Sequence, residues 1–404
     1  MRTHLPCFGP FRPVFLLRRK LLSVFLLLVH ISVVQGNPCL GASDCSNQKE
    51  KAKDKPISGD LYTDSSIEGQ ILGQTTFVQG GDGEPGRTLS VMFWNVENFF
   101  DWRNDSTTVS DTEFSAAGER HWTWKRFQAK ANAFAKSLLW VSADTGSLPD
   151  IVGLAEVENA FVLRQVLQKT LLRKLDYQYV HYDSPDRRGI DVALLFRSSV
   201  LELLEAKPCH LYSGSMVGQS EGVVSPSDTV LATRDILLCR FRTRDSVEFA
   251  VLVNHHPSKY GGAAESGPRR RIAVQRLRFL ADSLAAEGID RIIAGGDFND
   301  TPDNPVFCLL EPSLLPLHRE SYRRGEGTIK YEGKWELIDH VYVSSALMNL
   351  PSRPPTLRIL RIPFLLTRDT AYTGDKPLRT YVGPRYTGGV SDHLPILLEL
   401  PFPP

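Results

Sequence analysis

The sequence predicts a layered α/β fold, and three observations carry that prediction. Apolar runs of strand length recur between residues 89 and 400, two longer stretches place apolar residues at helical spacing, and several runs are bounded by Gly, Asp or Pro. The chain has 404 residues, 42% of them hydrophobic, enough apolar material for a buried core. With 47 Lys and Arg against 46 Asp and Glu, the formal net charge is +1, so no global field draws in nucleic acid or an anionic membrane. A local basic surface stays open: the run Arg269, Arg270 and Arg271, with Arg276 and Arg278, is the candidate.

In chain order, the first 36 residues read as an export signal, because Arg18, Arg19 and Lys20 precede the apolar stretch 21–34 and Val34-Gln35-Gly36 precedes the expected cut. That stretch is shorter than the ~20 residues a membrane span needs. An uncleaved anchor is therefore the lesser reading, and the expectation is an exported protein, periplasmic or extracellular, with no stable membrane span. Residues 37–87, rich in Lys, Asp, Ser, Gly and Gln, have the composition of a linker or loosely ordered arm. A folded domain is expected over 88–404.

Within it the runs 89–94, 151–155, 192–196, 249–253, 292–294, 340–343 and 394–400 read as strands. Residues 124–141 place Phe127, Ala131, Phe134, Ala135, Leu138 and Leu139 on one helical stripe; residues 272–286 do the same with Ile272, Leu277, Leu280, Leu284 and Ala285. The segments 103–122, 211–229 and 361–386 read as long loops that shape substrate choice. None of the six cysteines forms a Cys-x-x-Cys pair, so a zinc ribbon is not expected. Cys39 with Cys45, or Cys209 with Cys239, are the disulfides open in an oxidising compartment.

Five strand ends terminate in groups suited to a hard metal ion or to phosphate. Asn95 follows the first run, Glu156 the second and His255 the fourth; Asp297 and Asn299 follow the fifth, and Asp392 with His393 precedes the last. Ligands gather beyond strand ends in α/β proteins, so these positions can converge. Glu156 and Asp392 suit Mg²⁺, which takes one or two protein carboxylates and keeps several waters. A cap or turn is the alternative for either taken singly.

The stretch Gly295-Gly296-Asp297-Phe298-Asn299 is more specific: an extended backbone would point Asp297 and Asn299 into one pocket, the first to activate water, the second to hold water or a phosphate oxygen. A protonated His393 would stabilise charge on phosphorus, with Asp339 as its carboxylate partner. Of His255 and His256, alternation lets one face the site, and His255 is the choice, paired with Asp191. Ser258 and Lys259, with Arg187 or Arg188, are candidate phosphate contacts.

Phe93-Trp94-Asn95, Leu154-Ala155-Glu156, Gly296-Asp297-Phe298-Asn299, Ile338-Asp339 and Ser391-Asp392-His393 occur in this order and together resemble the endonuclease/exonuclease/phosphatase superfamily over residues 88–400. The resemblance implies a four-layer α/β sandwich, two central mixed sheets flanked by helices. It implies Glu156 as principal metal ligand with Asn95 and Asp392, Asp297 as water activator, Asn299 as orienter, and His393 on the scissile phosphate with Asp339 behind it. His255 resembles the second histidine of the deoxyribonuclease branch. The family's acidic motif often reads Gln-Glu, where Ala155 stands in this chain. The activity implied is an exported phosphodiesterase using Mg²⁺, with Mn²⁺ or Ca²⁺ as alternatives, acting on nucleic acid. A phosphatase or phosphodiesterase of lipid headgroups or small metabolites, and a non-catalytic binding module on the same fold, are the competing readings.

Overall fold

The computed structural model describes residues 88–105, 108–213, 229–258, 263–351 and 353–401; the segments expected to be an export signal and an arm, and Lys259, lie outside them. The first half of the fold runs β1 (Thr88–Phe99), α1 (Val109–Glu113), α2 (Trp124–Thr145), β2 (Ile151–Val157), α3 (Ala160–Lys169), β3 (Tyr177–His181), β4 (Asp191–Arg197) and β5 (Leu201–Cys209). It continues with β6 (Ile236–Thr243), β7 (Glu248–His255), α4 (Ala263–Ala286), β8 (Ile292–Asp297), β9 (Leu315–Pro316), β10 (Ile329–Tyr331) and β11 (Lys334–Glu336). The last strands are β12 (Asp339–Val343), β13 (Thr356–Ile359), β14 (Leu366–Arg368), β15 (Asp375–Pro377), β16 (Tyr381–Val382), β17 (Arg385–Tyr386) and β18 (Ile396–Pro401).

Two six-stranded sheets form, in the orders β13-β18-β1-β2-β4-β3 and β5-β6-β7-β8-β12-β9. Both are mixed, since β1 with β2 and β7 with β8 pair parallel while their other neighbours pair antiparallel. The apolar runs are continuous because the central strands bury both faces. On β1, Leu89, Val91 and Phe93 enter the core between the sheets, joined by Phe241, Val251, Val253 and Ile293 of the second sheet. Met92, Trp94 and Val96 point the other way, onto Phe127, Phe134 and Leu138 of α2 and Val162 of α3. On the far face, Leu238, Leu252 and Ala294 pack against Val274, Leu277 and Leu280 of α4. Helices, sheet, sheet and helix make four layers.

The structure corrects several expectations. α4 starts at Ala263, upstream of the expected 272. The arginine run therefore wraps around a helix: Arg270 is buried against Asp300, and Arg278 pairs with Asp282. The segment 103–122 contains α1, and 361–386 contains two hairpins, β14 with β15 and β16 with β17, too short to carry an apolar signature. Cys209 lies opposite Ile236 and Cys239 opposite Ala206, out of register for a disulfide, and Cys239 is a free thiol. Among the described residues no helix is long and apolar enough to cross a membrane.

Candidate active site

Strand register assembles the site. β8 lies between β7 and β12, so Asp297 has His255 opposite on one side and Asp339 on the other. Asn95 is not beyond a strand but inside β1, opposite Ala155. Glu156 is the extra residue of a bulge: the partners of β2 on β4 pass from Ala155 with Val192 to Val157 with Asp191. Its left-handed backbone (φ 66°) turns the carboxylate out of the ladder. There Oε2 accepts from the Asn98 backbone N–H (2.7 Å) and Oε1 from Asn95 Nδ2 (3.3 Å). Glu97 and Asn98 also have positive φ, so the end of β1 is a local bend built to meet Glu156.

Asp297, 2% exposed, is the hub. Its Oδ2 accepts from Asn95 Nδ2 (3.0 Å) and Asn299 Nδ2 (3.2 Å), and Oδ1 accepts from the Asn299 backbone N–H (2.8 Å). The two side chains meet as expected, though not on an extended backbone: Asn299 is left-handed (φ 53°), a conformation Asn tolerates well, and also donates to the His256 carbonyl. Burial pushes the Asp297 carboxyl up to about 7, with His393 opposing and Asp339 reinforcing the rise.

The two imidazoles flanking Asp297 carry opposite charge preferences. His393 Nε2 lies 3.9 Å from Asp297 Oδ2, and its Nδ1 lies 2.8 Å from Asp339 Oδ2. Burial works against its charge, but Asp339 and Asp297 outweigh that and hold its pKa well above the usual histidine value. Ser391 anchors this loop by donating to the Asn95 carbonyl and accepting from the His393 N–H. His255 Nε2 is 3.6 Å from Asp297 Oδ2 and 4.0 Å from Glu156 Oε1, yet burial, then Arg234 and Arg188, drive its pKa well down. One ring is an imidazolium and the other neutral, the separation by environment that distinguishes acid from base.

The expected partner of His255 is not its partner. Asp191 binds the Ser184 backbone N–H and hydroxyl and lies 3.5 Å from His181. Arg234 takes the place instead, with Nε 3.2 Å from Nδ1 and a terminal nitrogen 2.7 Å from Nε2. A neutral imidazole has one acceptor nitrogen, so only one of these contacts is a hydrogen bond. Asp186 holds the guanidinium at 3.0 Å. An Arg-Asp pair ahead of β6 is the only sequence signal for Arg234, and it looks like a solvated strand end.

Arg188 reaches Asn98 Oδ1. Ser258, half-buried, lies past the end of β7. Asp392 is bound by Arg379 (3.1 Å), which also grips Glu97 (2.9 Å). Lys130 is buried behind them, donating to the Glu97 carbonyl and to Thr380 Oγ1. Burial lowers its pKa to about 8. Glu97, Arg379 and Lys130 carry no sequence motif, because Glu97 meets Lys130 and Arg379 across 33 and 282 residues of chain.

Residues 90–401 match the profile of the endonuclease/exonuclease/phosphatase family. The chain belongs to that family. Three solved structures are similar to it. An endonuclease/exonuclease/phosphatase family protein from Bacteroides thetaiotaomicron is 16% identical over 80% of this chain and all of its own, with TM-score 0.48. The human Nocturnin catalytic domain with bound sulfate is 18% identical over 80% and 97%, TM-score 0.48. TDP2 from D. rerio with a single-strand DNA product is 15% identical over 78% and 98%, TM-score 0.45. No curated protein sequence matches the chain.

As a member of the endonuclease/exonuclease/phosphatase family the protein is a metal-dependent phosphoric ester hydrolase. Its donors fit a hard divalent cation, for Glu156 and Asp392 offer carboxylate oxygens from side chains 13% and 32% exposed. Asn95 turns its amide N–H groups to Glu156 and Asp297, so as placed it orients ligands.

Proposed function

We propose that this family member is an exported Mg²⁺-dependent nuclease that hydrolyses nucleic-acid phosphodiester bonds by in-line attack of water. The observation that carries the reading is the imidazolium of His393 and the buried carboxylate of Asp297, 3.9 Å apart, with the Asn299 amide beside them. Water attack on a phosphodiester needs a base for the water and fixed donors for the charge growing on phosphorus.

Asp297, once ionised, accepts the proton of the attacking water, which Asn299 orients. His393, charged and braced by Asp339, donates to a phosphate oxygen. Arg234, held between His255 and Asp186, joins burial in keeping His255 neutral and adds fixed positive charge beside it. Glu156 and Asp392 would hold the divalent ion, which supplies Lewis-acid stabilisation of the phosphate when bound. A polymer fits because arginines flank the hub on two sides. Arg188 and Arg234 stand near His255, while Arg120 and Arg379 line a cleft of about 140 Å³ beside Glu97 and Asn98. The basic start and short apolar stretch of residues 18–34 support export.

The test incubates the protein with supercoiled plasmid and, separately, with bis-para-nitrophenyl phosphate, each with Mg²⁺ or EDTA. Plasmid nicking that EDTA abolishes and Asp297→Ala removes is the expected result. Cleavage of the small ester alone would replace the nuclease reading with one of lipid or metabolite phosphoesters.

A further inference from the structure

Beyond the reacting centre, a second group of carboxylates lies where the 101–122 segment meets the end of β2. Asp105, Asp111 and Glu158 each offer an oxygen, and the three oxygens lie within 4.8 Å of one another. Asp111 is wholly buried and Glu158 is 6% exposed. Glu158 Oε2 accepts from the Asp101 backbone N–H (2.7 Å), but its buried Oε1 meets no N–H or hydroxyl donor among the described residues and faces the Asp111 carboxyl.

Among the described residues no Lys, Arg or His pairs with Glu158. The nearby cation, Arg103, is engaged by Asp101 (3.0 Å) and Asp105 (2.9 Å). A carboxylate oxygen taken out of water without a donor or a positive charge is strongly unfavourable, and a bound cation is one of the few compensations available. The oxygens are also on separate elements: Asp105 in a loop, Asp111 in the first turn of α1, Glu158 beyond β2. Ca²⁺, which accepts about six to eight oxygens in loose geometry, suits such a set better than Mg²⁺ with its strict octahedron.

We propose that Asp105, Asp111 and Glu158 bind a Ca²⁺-class divalent cation distinct from the one at the reacting centre, and that this ion ties the 101–122 segment to the β2 end. The two places are separable although Glu156 and Glu158 are two residues apart. The left-handed backbone at Glu156 sends its carboxylate to Asn95 and Asn98, while Glu158 turns to Asp101 and Asp111.

The experiment measures melting temperature and calorimetric Ca²⁺ binding on the purified protein, its Glu156→Gln variant to disable the reacting centre, and Glu158→Gln. Ca²⁺ is expected to raise the melting temperature of wild type and Glu156→Gln alike. Glu158→Gln loses that increment and one bound Ca²⁺, with a metal-free melting temperature equal to or above wild type. Should Glu158→Gln not fold, Asp105→Asn at the exposed edge of the group is expected to weaken Ca²⁺ binding at least tenfold. Two results overturn the site: a Ca²⁺ increment absent from Glu156→Gln, or one retained in Glu158→Gln or, failing that variant, in Asp105→Asn. Either would leave the carboxylates sharing a proton, and the nuclease reading would stand unaffected.

Discussion

Charge at single residues sets the chemistry. Asp297 must be ionised to take a proton from water, and burial keeps it protonated up to about 7 in the metal-free site. Activity should therefore rise with pH through the neutral range, and a cation at Glu156 should move that rise to lower pH. His393 must stay charged, so activity should fall again above its raised pKa, giving a bell-shaped profile. Asp339→Asn removes the main source of that rise. It should shift the alkaline limb to lower pH and reduce kcat by about 10²–10⁴-fold, read from pH–rate profiles on the small ester. Asp297→Asn should lose activity by a similar factor at every pH. An unchanged alkaline limb in Asp339→Asn would mean that His393 is not the charged donor to the phosphate.

At the scale of elements, the site depends on backbone that few residues can adopt. Gly296 has φ 131°, and a Cβ there would stand 2.1 Å from the Asn254 carbonyl oxygen. Gly296→Ala combines overpacking with a strained backbone and should destabilise the fold by on the order of 3 kcal/mol, measured by urea unfolding. Gly153 and Gly295 are close neighbours of one ring, since a Cβ on either would lie under 3.0 Å from Phe93. That ring sits in the core between the sheets, directly before Trp94 and Asn95. The bulge at Glu156 and the bend at Glu97 and Asn98 are likewise local departures from the strand pattern, placed where side chains must leave the ladder.

Across the whole molecule, buried ionisable groups govern stability against pH. Burial raises the carboxyls of Glu97 and Asp297 to about 7 and Glu158 to about 8. The folded state holds these protons above the unfolded value of about 4, so their favourable contribution declines as pH rises from about 4 and is gone above 7 to 8. His256 and His318, lowered by burial to about 3 and 4, act oppositely: folding expels their protons, so stability grows as pH rises to about 6.5. Above about pH 6.5 the histidine gain has ended while the carboxyl loss continues, so the metal-free protein should lose stability from pH 6.5 to 8, and added divalent cation should flatten that loss. A melting temperature rising from pH 6.5 to 8 in EDTA would contradict this. Arginines on two sides of the hub further predict that plasmid nicking falls steeply with salt, whereas hydrolysis of the small ester does not.

The sequence by itself determined the α/β class, the order of the central strands' apolar runs and the residues at their ends. Period-two and helical spacing follow from burial and need no tertiary knowledge. It also displayed Asp297, Asn299, Asp392 and His393, because their local spacing is unusual. Asp339 behind His393 was already legible from the motifs. Only the tertiary structure decided the other facing pairs: Asn95 between Glu156 and Asp297 follows from strand register, which no local pattern encodes. Arg234 in place of Asp191 at His255 follows from the antiparallel pairing of β6 with β7, which brings the start of one strand beside the end of the other. Charge states were decided last, since burial and partners distant in sequence make His393 a cation and His255 neutral.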